Sequence, residues 1–145
     1  MKTFFTVLFS FMALAASAAE ADNAIRVTTG YDHAQAYRKA GQALTLLGYT
    51  ISHADIDMGA ISTAEKTFHR SLLRKEAITV MFLTINDGKI IIIGEYREDS
   101  VFERDDSVFE RADNKGSRRS KGAKTWELME EIAEAIGGTI ETIRL

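Results

Sequence analysis

The stretch Ala77–Glu98, AITVMFLTINDGKIIIIGEYRE, constrains this chain more than any other. Two apolar, β-branched runs, Ile78–Ile85 and Ile90–Ile93, flank Asn86-Asp87-Gly88-Lys89. Asp-Gly supplies the positive φ angles that a two-residue type I′ turn requires, so the runs are predicted to form an antiparallel hairpin. A turn centred on Asp87-Gly88 pairs Asn86 with Lys89, Ile85 with Ile90, Leu83 with Ile92 and Met81 with Gly94. Opposed residues share a face. One face then carries Met81, Leu83, Ile85, Ile90, Ile92 and Tyr96, is uniformly apolar, and belongs under helices. The other carries Val80, Phe82, Thr84, Ile91, Ile93, Glu95 and Arg97. A solvated antiparallel face normally turns polar at alternate positions. This one stays mostly apolar, so the chain's own loop, a second subunit or a ligand is expected to cover it. A slip of one residue would exchange the two faces.

The flanking segments supply the helices. Ala24–Thr29 is a short strand candidate. Asp32 opens a helix as its N-cap, with Gln35 completing a capping-box pattern. Ala34, Tyr37, Ala40, Leu44 and Leu47 recur at helical spacing, and Gly48 stands where a left-handed C′ residue belongs. Tyr49–Asp57 reads as a strand with Tyr49, Ile51, His53, Asp55 and Asp57 on one side, followed by a Met58-Gly59 turn and a returning strand, Ala60–Phe68. His69–Glu76 is a polar connection. Ala123–Gly138 is the second helix, with Leu128, Met129, Ile132, Ala135 and Ile136 on its inner face and Thr125 as candidate N-cap. Thr139–Leu145 is a last strand.

The predicted order is β-α-β-β-β-β-α-β. Hairpin-linked strands between two helices imply an α+β, two-layer domain: an antiparallel-rich sheet of five to six strands with both helices on one face. This order, together with Leu-Gly-Tyr-x-Ile (Leu47–Ile51) closing the first helix, resembles the small TBP-like or helix-grip domains of secreted and outer-membrane-associated bacterial proteins. The resemblance implies a fold and no particular activity.

Met1–Ala19 has the three parts of a secretory signal peptide: Lys2, the apolar run Phe4–Ala16, and the small-x-small site Ala16-Ser17-Ala18. Glu20 and Asp22 follow too closely for a good membrane span, so the processed chain is not expected to be transmembrane. The chain has no cysteine and no Asn-x-Ser/Thr sequon. Both absences favour a periplasmic or secreted protein of a Gram-negative-type envelope over a eukaryotic secreted one. Residues 20–145 then form a single domain. The formal charge of −3 becomes −4 when Lys2 leaves with the leader. So mild an acidic balance gives no support to nucleic-acid binding.

One internal repeat interrupts the pattern. Arg97–Glu103, REDSVFE, is followed at once by Arg104–Glu110, RDDSVFE. Like charges at i, i+4 (Asp99 and Glu103, Asp106 and Glu110) argue against a helix. A tandem duplication in a tolerant loop fits better, within a flexible charged insertion at about 98–122. Its second part, Asn114–Lys124, has five basic residues and no acidic one. Lys115, Arg118, Arg119 and Lys121 are candidates for contact with an anionic membrane surface, lipopolysaccharide or the acidic repeat.

Catalysis has little to stand on. His33, His53 and His69 fall in different elements, and no nucleophile elbow, His-Glu-x-x-His or phosphate-cradling glycine loop is present. His53, Asp55 and Asp57 alternate on one strand, a spacing that could hold a divalent metal, and so carry the competing expectation of a metal-dependent protein or enzyme. The leading expectation is a non-catalytic envelope binding module without a cofactor. Its ligand or partner face is Val80, Phe82, Thr84, Ile91, Ile93, Glu95 and Arg97, and its partner an envelope protein, a second copy or a small apolar ligand.

Overall fold

A computed structural model of the chain describes residues 21–70, 75–100, 108–114 and 122–145. The leader, residues 101–107 of the repeat, and Lys115, Arg118, Arg119 and Lys121 lie outside the described residues. The elements are β1 (Ala24–Thr28), α1 (His33–Leu46), β2 (Ile51–Asp55), β3 (Ala60–Thr63), β4 (Lys66–Arg70), β5 (Lys75–Asn86), β6 (Lys89–Ser100), β7 (Glu110–Arg111), α2 (Ala123–Ile136) and β8 (Thr139–Ile143). All the strands join one antiparallel sheet in the order β2-β3-β5-β6-β1-β8, with β4 also beside β5 and β7 beside β6. Both helices pack on one face, giving the α+β two-layer arrangement.

The hairpin forms in the expected register, from Asn86 opposite Lys89 to Met81 opposite Gly94. Asp87 (φ 45°) and Gly88 (φ 72°) take the left-handed conformations of the tight turn. The pairing continues beyond the expected bounds, to Lys75 opposite Ser100. This length explains why the sheet has eight strands rather than five or six. Each long strand seats two shorter ones along its outer edge. β3 lies along Phe82–Thr84 and β4 along Lys75–Thr79. β1 lies along Lys89–Ile92 and β7 along Glu95–Tyr96. The segment expected as one strand, Ala60–Phe68, therefore breaks between Thr63 and Lys66. At the break the Thr63 hydroxyl accepts the Met81 N–H at 3.0 Å, replacing a missing ladder bond. β7 is itself a correction to the expected insertion, since Glu110–Arg111 belongs to the sheet.

Helix α1 starts as expected: Asp32 Oδ1 accepts the Gln35 N–H at 2.8 Å. Its buried line is Ala36, Ala40, Ala43 and Leu44, with Tyr37 and Leu47 partly buried and Ala34 half-buried. Helix α2 begins at Ala123 as expected, but its N-cap is Gly122 and not Thr125, which is buried inside the first turn. Gly122 has φ 81°, and a Cβ there would stand 2.5 Å from the Tyr96 ring. The inner face of α2 includes Trp126, Leu128, Met129, Ile132, Ala133 and Ile136, and Ala135 is exposed. Helix α2 crosses the sheet over Gly94, where a Cβ would meet Thr125 Cγ2 at 2.7 Å and Met129 Sδ at 2.8 Å. The core between the layers is filled by Ile25, Val27, Met81, Leu83, Ile85, Ile90 and Ile92, all 2 % exposed or less.

Candidate functional site

With both helices on one face, the opposite face carries the even-numbered residues of β5 and the odd-numbered residues of β6. The strand registers arrange that face in rows. His53 stands opposite Ser62, Ser62 opposite Phe82, and Phe82 opposite Ile93. The next row runs Asp55, Ala60, Thr84, Ile91, Arg26 and Glu141 across six strands. Val80 pairs with Glu95, and Ile78 with Arg97. All seven residues expected on the second hairpin face therefore lie together. Phe82 is 38 % exposed near the middle of this face. Val80, Ile91 and Ile93 are half-buried, as are Glu95 and Arg97, while Thr84 is exposed.

Two ion pairs lie toward the margins of this face, and Glu95 stands on it beside Val80. Arg26 Nη1 lies 3.5 Å from Glu141 Oε2, and Arg97 Nη2 lies 3.6 Å from Glu65 Oε2. The Arg97 guanidinium also stands 5.0 Å from the centroid of the Phe109 ring. Exposed pairs of this kind contribute at most about 1 kcal/mol each, so their importance is local. They pair the two arginines of the face with carboxylates. Arg26, Ser62, Glu65 and Phe109 are members of the face that the sequence did not point to. Each reaches it through pairing distant in sequence. Only Phe109 left a trace, as the aromatic residue of a repeated Ser-Val-Phe-Glu.

The candidate metal ligands are placed differently from the expected alternation. A bulge between Ile51 and His53 puts Ile51 opposite Thr63 and His53 opposite Ser62. Ser52 stabilises it, its hydroxyl donating to Ser62 O at 3.2 Å. Two β2 residues then oppose one on β3, so the face inverts. Ile51 turns to the helix side, toward Gly41, and Tyr49 is buried in the core. His53 and Asp55 fall on the open face, and β2 ends at Asp55, leaving Asp57 in the turn. Asp55 Oδ1 accepts the Met58 N–H at 3.0 Å. Burial and, secondarily, the Asp55 charge hold the Tyr37 phenol above its ordinary pKa. Among the described residues no three His, Asp or Glu side chains are gathered as metal ligands would be.

Among the described residues no helix is long and apolar enough to cross a membrane. No family model and no curated protein matches the chain.

Proposed function

We propose that the protein is a non-catalytic binding module of a bacterial envelope, and that the open sheet face seats a partner protein, a second copy of the chain included. The observation that carries this reading is Phe82: a large aromatic side chain 38 % exposed between Ser62 and Ile93, on a face with Val80 and Ile91 beside it. Apolar surface gathered in this way on an otherwise charged molecule marks an interaction site. Aromatic side chains at the centre of such sites dominate binding energy, while a polar margin excludes water. Glu65–Arg97 and Arg26–Glu141 supply that margin. The compartment rests on the leader pattern of Met1–Ala19.

A photo-crosslinking residue at position 82, expressed in intact cells, tests the reading. Position 38 on the exposed side of α1 serves as the control. A discrete protein adduct at 82, absent at 38 and lost on Ile93→Asp, is the expected result. No adduct at 82, with the purified chain monomeric and carrying no small molecule in native mass spectrometry, would contradict it.

A further inference from the structure

Asp87-Gly88, at the head of the β5–β6 hairpin, is the only Asp-Gly pair in the chain. Aspartyl-glycine is the most reactive of aspartyl linkages, because glycine has no Cβ to hinder its own nitrogen. That nitrogen can attack the side-chain carbon of a protonated Asp carboxyl. A C–N bond forms, the carboxyl C–O bond breaks, and the hydroxyl leaves as water with the amide proton. Water then reopens the cyclic imide. Attack at the α-carbonyl leaves the backbone running through the side chain, as isoaspartate, with an added methylene.

The hairpin turn holds the reacting atoms apart. Asp87 is exposed, so water reaches its carboxyl, and its φ is 45°. In the left-handed conformation of this turn the Gly88 nitrogen stands on the far side of the Cα–C bond from Cβ. Ring closure therefore requires the Asp87–Gly88 peptide to swing out of the turn, which displaces Gly88. Gly88 is gripped against that swing. It is buried, although it lies at a hairpin tip. Its carbonyl accepts both the N–H and the hydroxyl of Thr29, each at 2.8 Å. It lies so close to the loop after β1 that a Cβ would stand 2.5 Å from Tyr31 O. The Thr29 hydroxyl also accepts the Tyr31 N–H at 3.3 Å, which ties the grip to that loop.

We propose that Asp87 is a site of spontaneous isomerisation to isoaspartate, and that the Thr29 hydroxyl, by holding Gly88, sets the rate at which it proceeds. The reaction then follows local opening of the turn, which is distinct from global unfolding. The site lies where the register of the longest strands begins, at Asn86 opposite Lys89. An added methylene lengthens the two-residue connection that fixes this register. The same two strands carry Phe82 and Ile93 to the open face.

Peptide mapping tests this. The purified natural chain is held in mildly acidic buffer, folded and in urea, and then digested with trypsin. The peptide spanning residues 76–89 contains Asp87 as its only aspartate. Isoaspartate leaves the peptide mass unchanged but alters its retention and its fragmentation at 87, so chromatography with mass spectrometry counts it. The folded chain is expected to isomerise at least severalfold more slowly than the chain in urea. Thr29→Val removes the hydroxyl and keeps the N–H bond, and is expected to raise the folded rate severalfold. Thr29→Ser keeps the hydroxyl and is expected to stay near the natural rate. Leu83→Ala weakens the core and leaves the grip in place, and is expected to change the folded rate far less than Thr29→Val does. A folded rate equal to that in urea, a folded Thr29→Val chain that isomerises no faster than the natural one, or a Leu83→Ala rate that matches it would overturn the proposal. If Thr29→Val fails to fold, Thr29→Ala removes the same hydroxyl and carries the same test.

Discussion

Tyr49 and Tyr96 are both buried, and they differ in what their hydroxyls meet. Tyr96 is 8 % exposed and donates to Glu110. Burial first, then the Glu110 carboxylate, pushes its pKa up to about 12. Tyr49 is 5 % exposed, and its hydroxyl finds no hydrogen-bond partner. Burial first, then the charge of Glu131, raises its pKa well above the ordinary 10. Its ring is nonetheless in use. Lys66 Nζ stands 4.3 Å from the Tyr49 centroid and 5.3 Å from that of Phe68, while donating to Leu47 O at 2.8 Å. The ammonium thus closes the C-terminal end of α1 between two aromatic faces. Tyr49→Phe keeps the ring and removes an unsatisfied buried hydroxyl, so it should raise stability by about 1 kcal/mol in urea unfolding. Both phenols are held neutral in the fold. Their contribution is complete below about pH 10, where the unfolded phenol begins to ionise, and for Tyr96 it is lost as pH rises toward about 12. Urea midpoints taken from pH 9 to 12 should fall across that window, and Tyr96→Phe should flatten the fall.

At the scale of elements the paired strands β5 and β6 dominate. Leu83→Ala or Ile92→Ala, at positions 1 % exposed or less, should cost about 2–5 kcal/mol. Phe82→Ala, on the open face, should cost clearly less; equal losses in urea melts would mean that both faces are core. Gly94→Ala should cost about 1–3 kcal/mol by pushing Thr125 and Met129 of α2 outward. Deleting Arg104–Glu110 should leave the melting temperature nearly unchanged. The deletion joins Glu103 to Arg111, so Phe102 and Glu103 enter the β7 slot directly before Arg111 and Ala112. A large fall would show that the removed heptad holds packing of its own. The features legible in the sequence at this scale were local. The Asp-Gly turn set the register, Asp32 set the start of α1, and alternation set the two faces of β5 and β6. Features that depend on distant partners were not legible. The break between β3 and β4 arises from the length of β5. The bulge at Ser52 arises from its bond to Ser62, and it inverted the placement of His53 relative to Ile51. The N-cap of α2 is Gly122 rather than Thr125, and the Tyr96 ring leaves no room for a Cβ there.

At the scale of the molecule, the described residues form a single sheet with two helices, and both lie on the same side. The Asp22 carboxylate joins β8 and the stretch after β7 at one corner, taking Thr142 Oγ1 at 2.6 Å and Asn114 Nδ2 at 3.3 Å. Asn23 exchanges hydrogen bonds with Leu145 beside it. A cut after Ala18 or Ala19 would leave Asp22 only a few residues from the new N-terminus. N-terminal sequencing of protein recovered from the envelope should read from Ala19 or Glu20, and an intact Met1 on membrane-bound protein would contradict the leader. The central claim concerns the face opposite the helices, and Phe82→Asp tests it most directly. A carboxylate at position 82 should leave the urea midpoint within about 1 kcal/mol of the natural chain, as surface substitutions do, while abolishing crosslinking to a partner from a neighbouring residue on that face, position 84. A loss of about 3 kcal/mol or more, of the size seen when a charge enters a core, would show that Phe82 is core and that the face is not open.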